Sequence, residues 1–512
     1  MADGLNVQVQ FSAGVWTDIT ADTMASGGLS ASRGIQAGGP LDRVATTGMC
    51  EFTLKNGPTS DNVARPNGYY SLASSSVRTG WTFGAPVRIR YTISATPYTL
   101  WTGSLRSATP TTGRYGERTV RVLAVDAMNA LAETDVRTIS PQVSQTENAI
   151  IAAIIAALPT ASQPTMSYDT SLDTYPYALD NASSGNKALG LIADVVMSAQ
   201  AFCFCKADGT VRIENRWARP SRASSYTFTD ATLWGLEVPG DTAGLYNRVR
   251  CVTHPRSIDA AATTVLFGIT TAQLVPANSS ITIWGDFSDP SNAARLIGGT
   301  ATVTPIVSAT DYAGNSLAAG GGTNQTANIS VVTTPYAAAV KFVVTNISGA
   351  DIYLVTAGGV PLLQLRGKGI YDEAPVDYEA SSVQSYGERI AIVDLPYQNN
   401  GNTAQERATF LERQYRSLSA QITSLSFSAS TSAALLTQGV TREIGDVITV
   451  TETMSGLVAV DAVIHAITWA FTAPSWMTVR YTLTPRVAST SFVLDDATYG
   501  VLDAAVAALG YS

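Results

Sequence analysis

The chain is poor in charge. Only 14% of its 512 residues are Asp, Glu, Lys or Arg, against roughly 25% in an ordinary soluble domain. Small, weakly polar residues fill the difference, in runs such as Ala21-Asp22-Thr23-Met24-Ala25-Ser26-Gly27-Gly28. Such a surface is unusual for a cytosolic enzyme and fits a protein whose faces are covered by neighbours, a bias that secreted β-proteins share. Histidine is nearly missing: the chain holds two, His254 and His465. No HExxH, GxSxG or P-loop pattern occurs, which excludes the commonest signatures of zinc proteases, serine hydrolases and nucleotide-binding enzymes. The four cysteines, Cys50, Cys203, Cys205 and Cys251, include no CxxC pair. They predict free thiols in a reducing compartment rather than disulfides or a metal centre. Basic excess is lacking too. The formal net charge is −8, opposite in sign to what specific nucleic-acid recognition needs. No apolar run approaches the roughly 18 residues of a membrane helix. The opening Met1-Ala2-Asp3-Gly4-Leu5-Asn6 lacks the basic and apolar regions of a signal peptide, so a chain made in a cytoplasm and remaining soluble is expected.

What is present is strand periodicity. Val7, Val9 and Phe11 alternate with polar residues, as do Cys50, Phe52 and Leu54, Val87, Ile89 and Tyr91, and Val120, Val122 and Ala124. Gly-, Pro- and Ser-rich links separate them, and residues 1–135 are predicted to form a small β-barrel. Residues 136–240 read as an α+β domain. Ser144-Gln145-Thr146-Glu147 is a capping box before a helix over 149–158 that Pro159 ends, and a second helix is predicted over 187–199. Ala201 to Cys205, the turn Asp208-Gly209 and Val211-Arg212-Ile213 then form a hairpin signal.

Residues 258–368 are predicted to be an inserted immunoglobulin-like or jelly-roll β-sandwich with its ends close together. Its strand-like runs fall at 264–267, 281–284, 301–306, 329–333, 340–345 and 352–355. A helix is expected over 403–418, with Ala404, Ala408, Leu411, Tyr415 and Leu418 on one face and Glu406, Arg407, Glu412 and Arg413 on the other. That helix, residues 241–257 and residues 369–490 are assigned to a second barrel, and 491–512 to a C-terminal tail with a short helix at 504–509. The fold class is thus mainly β with a small α+β part: two related small barrels plus an inserted sandwich.

The two barrels rest on an internal repeat. Gly84-Ala85-Pro86-Val87-Arg88-Ile89-Arg90-Tyr91 and Gly445-Asp446-Val447-Ile448-Thr449-Val450-Thr451 each open a strand after a turn. Each is followed by a short strand, Leu100 to Leu105 and Val463 to Ile467, and then by a long alternating one, 118–125 and 476–483.

Residues with chemical potential are few. Gly367-Lys368-Gly369 reads as a plain loop, Asp372-Glu373 and Asp495-Asp496 as solvated acids, and His465 as a packed core residue. Glu214-Asn215-Arg216-Trp217-Ala218-Arg219-Pro220 admits two readings, a stacking patch for a sugar or base and a strand end held by one Trp and two Arg. No catalytic, cofactor-binding or metal-binding residue is predicted, and no metal or cofactor is expected.

Several short runs, taken in order, carry a resemblance. They are Val7-Gln8-Val9-Gln10-Phe11 with Trp16-Thr17-Asp18-Ile19-Thr20 and Ser32-Arg33-Gly34; Gly84 to Tyr91; Trp101-Thr102-Gly103; Val125-Asp126-Ala127; Tyr246-Asn247-Arg248-Val249; Gly387-Glu388-Arg389; and Asp394-Leu395-Pro396-Tyr397. Asp208-Gly209 with Glu214-Asn215-Arg216, and Gly445-Asp446 with 447–451, complete the series. The chain resembles minor tail proteins, or tail hubs, of long-tailed bacteriophages, along most of its length apart from 258–368. The resemblance implies a non-enzymatic structural protein of the virion tail tip with two similar barrels per chain. It implies assembly as a homotrimer at the distal end of the tail tube and passage of DNA. Tail tube or distal tail protein, tape measure protein and receptor-binding tip proteins are the implied neighbours, with no membrane insertion by this chain. Two other classes stay open: a carbohydrate-binding tail adhesin using 258–368, and a tail-associated cell-wall hydrolase. A ring of three chains is further expected to line its channel with more acidic than basic side chains, which would keep DNA phosphates from adhering.

Overall fold

The structure is a computed structural model that describes residues 4–486 apart from 25–27, 59–62, 112–117, 181, 183–184, 241, 243, 289–295, 418–421 and 474–475. The expected helix at 504–509 and the pair Asp495-Asp496 lie outside the described residues.

Strand alternation builds one large sheet of thirteen strands. Six come from the first part of the chain: β1 (Gly4–Ser12), β2 (Leu29–Gly34), β3 (Met49–Lys55), β4 (Pro86–Ile93), β5 (Thr96–Pro110) and β6 (Thr119–Val125). Six come from the later part: β7 (Ser224–Thr229), β8 (Gly235–Glu237), β9 (Ser424–Ser428), β10 (Val447–Glu452), β11 (Leu457–Ala473) and β12 (Trp476–Pro485). The thirteenth, Val15–Asp18, extends the β1 edge as a hairpin. Along β3 and β6, Cys50, Phe52, Leu54, Val120, Val122 and Ala124 are buried while Glu51 and Arg121 point to the other face. The period-2 pattern thus selects which face packs.

The two sets of six have one connectivity. The first runs in space β1-β4-β5-β6-β3-β2 and the second β7-β10-β11-β12-β9-β8, so each strand of the second set occupies the place of the strand six labels earlier. The match reaches single residues. Gly84 donates its N–H to the Leu105 carbonyl (2.9 Å) and Leu105 to that of Ala85 (2.9 Å). Gly445 donates to the Ile464 carbonyl (2.7 Å) and Ile464 to that of Asp446 (2.9 Å). Both glycines have positive φ, +78° and +89°, a conformation that favours glycine. After Leu105 and after Ile464 one residue bulges from the ladder, Arg106 in the first set and His465 in the second. One pairing differs: β1 is antiparallel to β4, whereas β7 is parallel to β10.

The two sets meet through β2 and β11, which pair antiparallel from Leu29 opposite Phe471 to Gly34 opposite Ala466. This junction corrects the expectation of two separate barrels. Among the described residues neither set closes on itself; each stays open and the two share one continuous sheet. The edge that closure would have used, along β2, is taken by the other set.

Three further layers decorate the sheet. Helix α1 (Glu147–Ala156) and helix α2 (Ala188–Ala199) pack near the hairpin Phe202–Cys205 and Val211–Glu214. The cap of α1 is Thr146, whose hydroxyl accepts from the Ala149 N–H at 3.4 Å. The expected capping box therefore starts two residues too early. Glu147 is turned to the Leu172 and Asp173 amides instead.

The insertion enters on Arg256–Ile258 and leaves on Gln364–Asp372, which pair antiparallel with Arg256 opposite Asp372. Between them lie small sheets with their own apolar core, including Leu266, Val275, Phe342, Val344, Ile352 and Leu365. Gly367-Lys368-Gly369 falls in the middle of the exit strand rather than in a loop, because the strands Thr264–Gly268 and Leu296–Thr300 flank it. The run 301–306 is irregular and the strand precedes it, at Leu296–Thr300; Pro305 has no N–H to give a ladder.

A third layer joins Arg248–Thr253, Val376–Ser381 and Ile390–Leu395 with helix α3 (Gly401–Tyr415). Ala404, Ala408, Leu411 and Tyr415 of α3 pack on this small sheet, and the Tyr415 hydroxyl also lies 3.4 Å from that of Thr484 in the thirteen-stranded one. Arg407 and Glu412, expected on a solvated face, are 2% and 5% exposed.

Candidate functional site at strand edges and between the layers

Of the strand edges left unpaired among the described residues, two correspond to the β2–β11 junction. The first is the outer edge of β8, whose sole partner is β9. The second is the stretch of β5 beyond Leu105, where β4 has ended and β6 covers one side only. The repeat gives these edges a meaning. The edge of β2 corresponds to that of β8, and β11 from Ala466 corresponds to β5 from Ser107. The edges of β2 and β11 are joined within the chain; those of β8 and β5 are not. Beside β8, Trp234 (63% exposed) and Trp476 (39% exposed) lie with ring centroids 6.2 Å apart. An exposed aromatic pair next to a free strand edge is the chemistry of a contact surface.

The second feature is a pocket between the layers with a cavity volume of about 30 Å³. Arg43, Arg216, Arg219, Arg407 and Arg486 line it, and no acidic residue does. The guanidiniums of Arg219 and Arg43 lie 3.5 Å and 4.5 Å from the Phe202 ring centroid, and that of Arg407 lies 4.1 Å from Trp217. The Arg216–Trp217–Arg219 run thus does more than hold a strand end: its two arginines face into a cavity completed by residues far away in sequence. Burial first, and among its neighbours the Arg219 charge, lowers the Arg43 guanidinium to about 10. Burial also lowers Arg407 to about 10, with Arg216 and Arg43 adding to the effect.

The other flagged residues do separate jobs. Cys203 and Cys205 lie in Phe202–Cys205, buried and free, and burial pushes the Cys203 thiol up to about 12. Among the described residues no His, Cys, Asp and Glu group is arranged to hold a metal ion. His254 Nε2 lies 2.6 Å from Asp394. His465 is buried, its Nδ1 3.0 Å from the Ala37 carbonyl, and desolvation first, then Arg219, lowers it well below the usual imidazole range. Asp372 pairs with Arg256 at 2.7 Å while Glu373 accepts from Ser257, so the two neighbouring acids are held by different partners. In the insertion, Trp284 is stacked on Tyr336 at 5.6 Å and covered by Arg137 at 4.3 Å, which leaves little open ring face for a sugar. Sequence reasoning missed Arg43, Arg407 and Arg486, since nothing local marks an arginine as buried.

These observations define a mainly β chain with a duplicated six-strand unit. No protein-family profile and no curated protein matches it. Among solved structures it is similar to the 43 kDa tail protein of prophage MuSo2 from Shewanella oneidensis, at 8% identity and TM-score 0.48, over 94% of this chain and 98% of that one. It is similar to a tail protein from Neisseria meningitidis MC58, at 8% identity and TM-score 0.48, over 95% and 97%. It is also similar to an E. coli component of the type VI secretion system described as resembling the T4 tail proteins gp27 and gp5, at 9% identity and TM-score 0.37, over 94% and 77%.

Proposed function

We propose that the chain is a structural hub of a phage tail tip that closes into a ring of three copies. One observation carries this reading: the β2–β11 junction is made within the chain, and its counterpart, β8 against β5, is left open at both partners. Pairing β8 of one copy with β5 of the next repeats the same junction between chains. Three copies then alternate three internal and three external junctions, so a threefold assembly presents six similar units to a sixfold tube. Closed rings are the usual form of such head-to-tail contacts. The tail context comes from the sequence resemblance, and with it the neighbours: the tail tube or distal tail protein, the tape measure protein and receptor-binding tip proteins. The role is non-enzymatic, needs no cofactor and lies at the virion tail tip, where DNA passes through a channel with an acidic excess.

The test is the mass of the purified chain in solution, with Trp234→Glu beside it. The wild type is expected as a trimer. The variant places a charge at the open edge without touching the packed core, and its trimer should be at least about tenfold weaker, in line with the loss of one aromatic anchor. A strictly monomeric wild type at high concentration, or a trimer indifferent to this change, refutes the edge-to-edge ring.

A further inference from the structure

We propose that the arginine pocket is a binding site for one small tetrahedral oxyanion of the phosphate or sulfate class. This goes beyond the hub reading and does not depend on it. The first argument is charge. Five guanidiniums converge on the cavity and none of its walls is acidic. The carboxylates that pair with four of them stand behind the walls: Asp173 with Arg216, Glu214 with Arg219, Glu406 with Arg407 and Asp461 with Arg486. Glu214 also serves Arg222. Arg43 makes no ion pair among the described residues, and its Nε is 3.4 Å from the Pro40 carbonyl.

The second argument is unmet hydrogen bonding. Arg219 is 3% exposed, yet both of its terminal nitrogens lack a partner. The Nε groups of Arg216, Arg407 and Arg486 lack one as well. Buried donors without acceptors are costly, and buried cations without counter-charge more so. An oxyanion answers both demands, because guanidinium donors match its oxygens in charge and geometry.

The third argument is size. A cavity of about 30 Å³ has room for an ion or two waters. It has none for a nucleotide or a sugar ring. Phe202 supports the arrangement by taking Arg43 and Arg219 against its ring, which holds the two cations in place before the anion arrives.

The site sits where four parts of the chain meet: the loop carrying Arg43, the Arg216–Pro220 turn, α3 with Arg407, and the end of β12 with Arg486. An anion there would tie the α+β layer, the α3 layer and the second half of the sheet together.

The experiment titrates the full chain with sodium phosphate and with sodium chloride at matched ionic strength, by calorimetry and thermal unfolding. Saturable one-to-one phosphate binding and a rise in melting temperature are expected, with no such response to chloride. Arg43→Met removes a pocket cation that has no carboxylate partner to strand. It should weaken phosphate binding about tenfold or more, in keeping with charge-assisted hydrogen bonds, while the anion-free variant melts no lower than wild type. Should Arg43→Met fail to fold, Arg486→Gln at a partly exposed position serves the same purpose, and phosphate affinity should again fall. Equal responses to phosphate and chloride, or undiminished phosphate binding in the folded variants, overturn the site. A short oligothymidylate should not compete with phosphate; competition would mean a nucleic-acid surface instead and would also overturn it.

Discussion

The two six-strand units place a cavity at the same point and fill it with opposite chemistry. In the first unit Ser104, Val125 and Asp126 border a cavity of about 320 Å³ that Asp208 also lines. In the second, the corresponding Val463, Thr484 and Pro485 border the arginine pocket of about 30 Å³. The bulged residue differs in the same spirit. Arg106 is exposed and pairs with Glu133 at 2.6 Å, whereas His465 is buried beside Phe202 at 5.7 Å. Equal backbone geometry has been put to unequal use because β2 pairs along β11 of the second unit, whereas the corresponding stretch of β5 in the first is open on that side. Burial, not strand order, decides which side chains each copy of the unit tolerates.

Breaking the internal junction should have the largest effect. Phe471 is 3% exposed, opposite Leu29 and stacked on Tyr91 at 6.4 Å. Phe471→Ala should cost about 3–5 kcal/mol, read by denaturant unfolding of the isolated chain. Trp234→Ala, at the open counterpart edge, should change that stability by less than about 0.5 kcal/mol while weakening assembly. Equal costs at the two positions would abolish the distinction between a closed and an open junction.

The insertion sharpens the comparison from another side. Its entry and exit strands are paired and its core is internal, so residues 256–372 expressed alone should give a cooperatively melting β domain by circular dichroism. A product without a cooperative transition would make the insertion a dependent layer.

The smallest effect is a pH dependence of opposite sign in the two units. Burial raises the Asp126 carboxyl to about 7 against the lowering action of the Gly48 and Met128 amides. Unfolded, it titrates near about 4. Its contribution to stability is therefore complete below about pH 4 and lost as pH rises through about 7. His465 is the reverse: held well below its ordinary value, it opposes folding as pH falls below about 6.5, where the unfolded imidazole takes up a proton. Melting temperature against pH should flatten between about pH 4 and pH 7 in Asp126→Asn and below about pH 6.5 in His465→Gln. A wild-type slope unchanged in both variants would assign the pH response to other groups.

Much of the architecture was legible in residue order. Alternation located the strands 49–55, 86–93 and 119–125, the Asp208-Gly209 turn located its hairpin, and three- and four-residue spacing located α3. The paired runs at 84–125 and 445–483 showed the duplication, since turn glycines and apolar alternation are local properties. The candidate pocket was half visible, through Arg216, Trp217 and Arg219. Arg407 was misplaced because helical periodicity assigns charge to the outer face by default, and Trp217 and Phe410 draw it inward instead.

What the residues determined by themselves was the set of strands, their faces and their repetition, all of which depend on neighbours a few positions away. Whether each unit closes on itself or opens to share β2 with β11 was decided in three dimensions. So was the convergence of Arg43, Arg219, Arg407 and Arg486 on one cavity. Both depend on contacts between segments hundreds of positions apart, and the free energy of such contacts comes from burial and electrostatics that no local pattern encodes.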